Sequence, residues 1–189
     1  RDETTCLNDA GVPNMKIEIT FKADSLTGTQ VLYRQGGDGK GFNIYLHEGA
    51  LYAGSQSPNR DWSGYSNYPG GNGYWISSDA VQAGVWHTVR YVLDDAGTTV
   101  APDKQFLYLD GQLVDQGPGV RIPNHHHSPT LAWGDITLHN GTQTTGGTGD
   151  AFRGRLASYR QVNAANEKPQ VWLDSRSEEH TSELQSLLI

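Results

Sequence analysis

The stretch that decides the fold is AGVWHTVRYVLDDAGTTVAPDKQFLYLDGQLVDQG, residues 83 to 117. Residues 85 to 93 are rich in β-branched and aromatic residues and alternate in polarity, which predicts a strand. A polar loop leads to a second predicted strand at 106 to 109. Asp110-Gly111 then provides a dipeptide typical of two-residue hairpin turns, because glycine adopts positive φ without steric cost. Leu113-Val114 begins the return strand, so the stretch predicts antiparallel β structure.

The rest of the chain continues this pattern of short strands. Residues 15 to 23 alternate cleanly between apolar and polar side chains, as a strand with one wet face does. Further strands are predicted at 30–34, 42–46, 50–53, 74–77, 131–138 (broken) and 152–162, with a closing turn and edge strand within 163–174. Many short strands at even spacing favour an all-β, two-sheet antiparallel β-sandwich or jelly roll.

Length and charge limit the classes of function. The 189 residues suffice for one domain with a core, and the formal net charge is −7. An acidic surface repels phosphate, so we expect no nucleic-acid partner. No apolar run approaches the roughly 18 residues of a membrane span, so we expect no membrane insertion. Cys6 is the single cysteine, which excludes an internal disulfide.

The two ends of the chain differ from its middle. Residues 176–186, RSEEHTSELQS, resemble the translation of a common sequencing adapter, and they lack aromatics, glycine and a β pattern. We therefore expect a single domain over 1–175 and an artefactual tail over 176–189. The chain starts at Arg1 without Met or a signal peptide, so we also expect a truncated N-terminus and a metagenomic fragment of a longer protein.

Five motifs in one order carry a family resemblance. They are KADSL at 22–26, GKGFNIYL at 39–46 with GALY at 49–52, AGVWHTV at 83–89, FLYLDGQLV at 106–114, and FRGRLASYRQVN at 152–163. In this order the chain resembles the laminin-G-like, concanavalin-A-like jelly rolls over about residues 15 to 165.

The resemblance implies two stacked antiparallel sheets and a module of a larger secreted or cell-surface bacterial protein. Such modules typically bind carbohydrate or protein, and some bind calcium. It also implies structural rather than catalytic roles for the Trp86-His87 pair and the Asp110-Gly111 turn. We expect Trp86 to fill the sandwich and His87 to lie at or near its surface.

Acidic residues at catalytic spacing are the first test for an enzyme. Related jelly rolls include retaining glucanases, which need two carboxylates about 5–5.5 Å apart. Glu18, Glu48 and Glu167 are scattered, and Glu18 has no second acid two or four residues away. A lyase would need a neutralising Arg or His with a Tyr base, and no signature links the available residues, which are His87, Arg90, Tyr91 and Tyr159. We predict no enzyme, with a glycan-active hydrolase or lyase as an alternative.

Two groups of residues are candidates for metal binding. His125, His126 and His127 are consecutive, and adjacent side chains point apart on an extended chain. The three histidines therefore either belong to a polar loop or bind zinc through His125 and His127, which share a face. Calcium prefers oxygen ligands from loops. Asp135, Asn140 and Asp150 surround a glycine-rich loop and are the candidate calcium ligands, with Asp38 and Asp61 as other options.

The insertion at 54–73 carries the candidate glycan site. Aromatic rings stack on the apolar faces of sugars, and polar side chains bind the hydroxyls. The residues of the predicted site are Trp62, Tyr65 and Tyr68 for stacking, and Arg60, Asp61 and Asn67 for hydrogen bonds. A satellite core formed by these aromatics is the structural alternative, and Tyr74 and Trp75 favour it because they border a strand.

These patterns predict a non-catalytic, lectin-like module that binds a polysaccharide or other glycan through loop aromatics. A protein–protein adhesion or structural module stiffened by calcium is the alternative from another class.

Overall fold

The computed structural model describes residues 15–37, 40–56, 73–94, 103–119, 129–144, 150–163 and 169–174. These residues form eleven strands. Their bounds are β1 Met15–Ala23, β2 Thr29–Gly37, β3 Lys40–His47, β4 Ala50–Gln56, β5 Gly73–Ser78, β6 His87–Asp94, β7 Asp103–Leu109, β8 Gln112–Gly119, β9 Pro129–Leu131, β10 Gly154–Asn163 and β11 Pro169–Asp174. Within these ranges, no helix has the length and apolar character that a membrane crossing requires.

The strands build two antiparallel sheets. The six-stranded sheet has the order β11-β10-β1-β6-β7-β8, and the five-stranded sheet has the order β5-β4-β3-β2-β9. The predicted all-β sandwich is therefore confirmed. The predicted edge strand within 163–174 is also confirmed, because β11 lies at the outer edge of the six-stranded sheet.

The main core lies between the two sheets. β1 alternates strictly between buried and half-buried side chains, and Ile17, Ile19 and Phe21 are fully buried. Tyr91 on β6 and Leu107 on β7 continue this inner face. The period-2 pattern read from the sequence is the cause, since alternate residues of a strand point to opposite faces of its sheet.

Two tight hairpins fix the registers of the strands. Asp110 (φ 52°) and Gly111 (φ 83°) join β7 to β8, and Glu48 (φ 46°) and Gly49 (φ 94°) join β3 to β4. Positive φ at both central residues is the type I′ turn, whose twist matches that of the flanking strands. The predicted hairpin at Asp110-Gly111 is confirmed.

A buried polar network crosses the core. The Tyr33 hydroxyl donates to Gln35 Oε1 at 2.7 Å, Gln161 Nε2 donates to the same oxygen at 3.2 Å, and the Tyr159 hydroxyl donates to Gln161 Oε1 at 2.5 Å. Burial raises the pKa of both tyrosines. The network ties β2 to β10, and therefore one sheet to the other, by directional bonds that only this register satisfies.

The predicted broken strand at 131–138 is wrong over most of its length. β9 ends at Leu131, and the next residue, Ala132, has φ 66°, outside the range of a strand. The chain then leaves the edge of the five-stranded sheet, and residues 132–144 cross its outer face. The apolar residues of this segment follow a second, smaller core rather than a sheet ladder.

Candidate functional site

The segment 132–144, called the cover segment below, lies on the outer face of the five-stranded sheet. Ile136 and Leu138 are each 5% exposed and pack against Val31 on β2 and Tyr45 on β3. Their burial requires that this face of the sheet also be apolar at these positions. The cover segment therefore turns a surface that would otherwise meet solvent into a second core.

Polar side chains of the sheet hold the cover segment at Thr137. Asn43 Nδ2 donates to the Thr137 carbonyl at 3.2 Å, and Gln56 Nε2 donates to its hydroxyl at 3.1 Å. Trp75 Nε1 donates to Asn43 Oδ1 at 3.1 Å, which orients the amide. Because the three groups are buried or partly buried, each would be costly to leave without a partner.

Trp75 has a structural place, as its position beside a strand predicts. Its ring lies so close over Gly54 and Gly73 that a Cβ at either glycine would come within 2.5 to 2.6 Å of it. The two glycines are needed here for space. Trp75 therefore packs into the second core instead of standing free for a ligand.

A stack of rings closes the other end of the cover segment. The His139 ring lies 4.1 Å from the Tyr52 ring at an interplanar angle of 3°, and Tyr52 stacks on Tyr45 at 5.2 Å. The Tyr45 hydroxyl accepts the His139 backbone N–H at 2.7 Å and lies 3.2 Å from His139 Nδ1. Burial lowers the pKa of His139, and the neighbouring His47 ring lowers it further. His139 is therefore a neutral stacking residue at pH 7.

A polar pocket opens where the cover segment starts. Its lining includes Arg34 from β2, Asn43 from β3, Gln56 from β4 and Asp135 from the cover segment, and the cavity holds about 10 Å³, roughly the space of one water molecule. Three strands and the cover segment thus bring amide, carboxylate and guanidinium groups to one place. Donors and acceptors side by side are suited to a water molecule or to one hydroxyl group of a larger ligand that lies over the opening.

Two residues of this pocket carry a buried donor with no acceptor among the described residues. They are Arg34, at Nε, and Gln35, at Nε2. Gly134 leaves room for the Arg34 side chain, since a Cβ there would lie 2.8 Å from Arg34 Cδ, and its φ of 130° also favours glycine.

Trp133 is an exposed aromatic next to this site. It is 59% exposed, the highest value among the large apolar side chains that the structure describes, and it precedes Gly134 and Asp135 in the chain. The sequence pattern predicts a strand at Trp133 and indicates no ligand-binding role for it. The Gly134 that follows it was the signal, since it interrupts the strand pattern.

Comparison with known proteins gives the fold. No protein-family model matches the sequence, and no curated protein matches it. Among solved structures, domains LG4-5 of the mouse laminin α1 chain superpose with a TM-score of 0.57 at 12% identity, over 88% of this chain and 40% of that chain. This chain therefore spans less than half of that laminin structure.

Two further structures agree. The CBM40 module of the Ruminococcus gnavus IT-sialidase, bound to α2,3-sialyllactose, has a TM-score of 0.51 at 16% identity over 79% of this chain and 74% of that chain. A heptameric SAP-like pentraxin from Limulus polyphemus has a TM-score of 0.52 at 14% identity over 82% and 67%. The chain has the jelly-roll fold of these structures. The resemblance read from its motifs is confirmed at the level of the fold.

In this jelly roll the Trp86-His87 pair lies the opposite way round from our expectation. Trp86 is 45% exposed and its ring lies under the Lys22 ammonium group at 5.3 Å, whereas His87 is 6% exposed. The reason is the alternation of β6, in which His87 shares the inner face with Val89 and Tyr91. Trp86 therefore lies on the outside of the six-stranded sheet.

His87 and Asp110 form a structural pair. His87 Nδ1 lies 2.7 Å from Asp110 Oδ2, and His87 Nε2 accepts the Gln82 backbone N–H at 3.0 Å. Burial raises the pKa of Asp110, but the hydrogen bonds from Thr88 N–H and the His87 ring outweigh this and leave the pKa below its ordinary value. Both nitrogens of the imidazole have hydrogen-bond partners, so the ring is held in place between the start of β6 and the Asp110 turn.

The residues predicted to bind glycan lie outside the described part of the jelly roll. They are Arg60, Asp61, Trp62, Tyr65, Asn67 and Tyr68, and the histidines 125–127, Asp38, Cys6 and the 176–189 tail also lie outside it. The chain enters residues 57–72 directly from Gln56, which lines the pocket, and leaves them at Gly73, the register partner of Gln56.

The candidate calcium ligands are found in three settings. Asp135 lines the pocket with Arg34, and Asn140 Oδ1 accepts the Thr142 backbone N–H at 3.0 Å within a turn. Asp150 directly precedes a bridge from Ala151 to Val31. Among the described residues, no three His, Cys, Asp or Glu side chains cluster as metal ligands would. A calcium site at these residues stays a prediction.

Proposed function

We propose that this jelly roll is a non-catalytic glycan-binding module. The observation that carries the proposal is the pocket of Arg34, Asn43, Gln56 and Asp135 on the outer face of the five-stranded sheet. Sugar hydroxyls both donate and accept hydrogen bonds, so a glycan site needs amides, a cation and a carboxylate that converge on one place. This pocket brings the three kinds of group together, with the Asn43 and Gln56 amides held by their bonds to Thr137 and Arg34 Nε still without an acceptor among the described residues.

The aromatic side chains of the insertion complete the proposed site. Because Gln56 both lines the pocket and leads into residues 57–72, the insertion starts at the edge of the pocket. We propose that Trp62, Tyr65 and Tyr68 stack on sugar rings and that Arg60, Asp61 and Asn67 bind hydroxyls. The exposed Trp133 adds an aromatic surface from the described part of the chain.

The carboxylates of the described strands support a binding role over a catalytic one. Glu18 Oε2 accepts a hydrogen bond from Arg90 Nε at 2.9 Å instead of facing a second carboxylate. Retaining glycosidases need two carboxyl groups about 5–5.5 Å apart. The glycan-bound CBM40 module among the structural neighbours supports the same class of function, and a secreted or cell-surface location belongs to the same proposal.

A polysaccharide and oligosaccharide panel, including sialylated and neutral glycans, tests the proposal through retention in affinity gels and on arrays. We expect retention by at least one glycan. Arg34→Ala and Trp62→Ala should each weaken it at least tenfold, with a change in melting temperature of no more than a few degrees. Product release is measured in parallel and should be absent.

Trp86→Ala is the matched control, because Trp86 lies on the other sheet and should leave glycan retention unchanged. If Trp62→Ala unfolds the domain, the insertion belongs to a core and the stacking role is wrong. If both Arg34→Ala and Trp62→Ala bind like the wild type, the site lies elsewhere.

A further inference from the structure

The outer face of the six-stranded sheet has a composition unlike that of the whole chain. Strand registers place six cations on this face: Lys16, Lys22, Arg90, Lys104, Arg155 and Arg160. The acidic residues that the registers place on it are Glu18, Asp94 and Asp174. The chain as a whole carries a net charge of −7, so the positive charge is concentrated on one face.

A row across three strands shows how this face binds a carboxylate. The register sets Glu18 of β1 opposite Arg160 of β10 on one side and opposite Arg90 of β6 on the other. Arg90 Nε holds the carboxylate at 2.9 Å. With strands about 4.8 Å apart, the two arginines flank one acid across roughly 10 Å. One negative charge does not balance the two arginines, and a second carboxylate would find a donor here.

Apolar and aromatic groups are interleaved with these cations. Trp86 is 45% exposed and Leu113 is 49% exposed. The Lys22 ammonium lies 5.3 Å from the Trp86 ring centre, and the Arg90 guanidinium lies 5.6 Å from that of Tyr108. The rings therefore line up with the charges on the same surface.

We propose that this face docks an acidic, partly apolar surface of a protein partner. Arginine, tryptophan and tyrosine are the residues enriched at protein interfaces and at their energetic centres. Exposed groups such as Trp86 and Leu113 gain little from a polyanion that offers charge alone. A long nucleic acid or charged polysaccharide would also extend beyond this face toward the acidic remainder of the chain, which repels it within a Debye length of about 8 to 10 Å.

The experiment uses the full chain and a random copolymer of glutamate and tyrosine as the probe, with binding followed by fluorescence anisotropy. Polyglutamate of equal length, heparin and duplex DNA are measured in parallel. We expect the copolymer to bind at least fivefold more tightly than polyglutamate, heparin or DNA, and binding to weaken as salt is raised.

Two variants and two matched controls locate the binding. Arg155→Glu with Arg160→Glu should weaken copolymer binding at least tenfold, whereas Arg153→Glu, which reverses an exposed charge off this face, should change it less than twofold. Trp86→Ala should weaken binding severalfold, whereas Trp133→Ala on the other sheet should not.

The proposal is overturned if the copolymer fails to bind, if heparin or DNA binds as tightly as the copolymer, or if the variants on the face match their controls. The glycan proposal concerns the five-stranded sheet and is tested by Arg34→Ala and Trp62→Ala. A negative result for the docking surface therefore leaves the glycan proposal intact, and a negative result for glycan binding leaves the docking surface intact.

Discussion

The outer faces of the two sheets differ although both belong to one sandwich. The outer face of the five-stranded sheet is overlaid by the cover segment and holds a second core of Val31, Tyr45, Ile136 and Leu138. The outer face of the six-stranded sheet carries cations and exposed rings instead, with Arg90 paired to Glu18 at 2.9 Å. One face contributes to stability, whereas the other presents charge to solvent.

The two sheets thus give one sandwich a covered, apolar outer face and a solvated, charged outer face. A face that gains a second core can hold a rigid pocket, because Asn43 and Gln56 fix the cover segment that forms one of its walls. Solvated charges on the other face contribute little to the free energy of folding, so substitutions there should be tolerated by the fold. Changes on the two faces should therefore differ sharply in their effect on folding.

The largest expected effect comes from truncation of the second core. Ile136→Ala removes a side chain that is 5% exposed, so the free energy of unfolding should fall by about 3 kcal/mol. Leu113→Ala on the opposite face, at 49% exposure, should cost under about 0.5 kcal/mol. Urea denaturation followed by tryptophan fluorescence gives both values. Equal losses would contradict the difference between the faces.

A smaller effect should follow from acid on the ring stack. The pKa of His139 is lowered in the folded state from its ordinary 6.5 by burial and by His47. Well above pH 6.5 the ring is neutral in both states, and its contribution to stability is complete. As the pH falls through the folded pKa, the unfolded chain binds the proton more readily and stability is lost.

Urea midpoints at about pH 7.5 and about pH 5.5 test this expectation. Between the two pH values, the urea concentration at the midpoint should fall more for the wild type than for His139→Gln, because only the wild type has a titrating side chain at this position. The expected direction is wrong if the wild type is more stable at the lower pH, or if the two proteins change in parallel.

The smallest effect should come from the exposed ion pair. Glu18→Gln removes the partner of Arg90, whose side chain is 41% exposed, and should change the free energy of unfolding by no more than about 0.5 kcal/mol. Any loss should disappear in about 1 M salt, where the Debye length is about 3 Å. A loss that persists at high salt would mean that Glu18 is held by more than charge.

The sequence predicted the strands better than it predicted their surroundings. Alternation in 15–23 and the Asp110-Gly111 turn are local features, and both are confirmed by burial and by φ angles. The expected environments of Trp86 and His87 are wrong because they rest on residue type, with a large ring expected in the core and a polar ring at the surface. The alternation itself places His87 on the buried face with Val89, Tyr91 and Leu93.

The sequence by itself determined the fold class, because period-2 patterning and turn dipeptides act over a few residues. Tertiary structure alone decided the pocket and the covered face. Arg34, Asn43, Gln56 and Asp135 stand on four separate elements, and no spacing in the sequence relates them. Local alternation says which side chains share a face of one strand. Which segment crosses that face depends on strand order, on a positive φ at Ala132 and on the contacts of the whole sandwich.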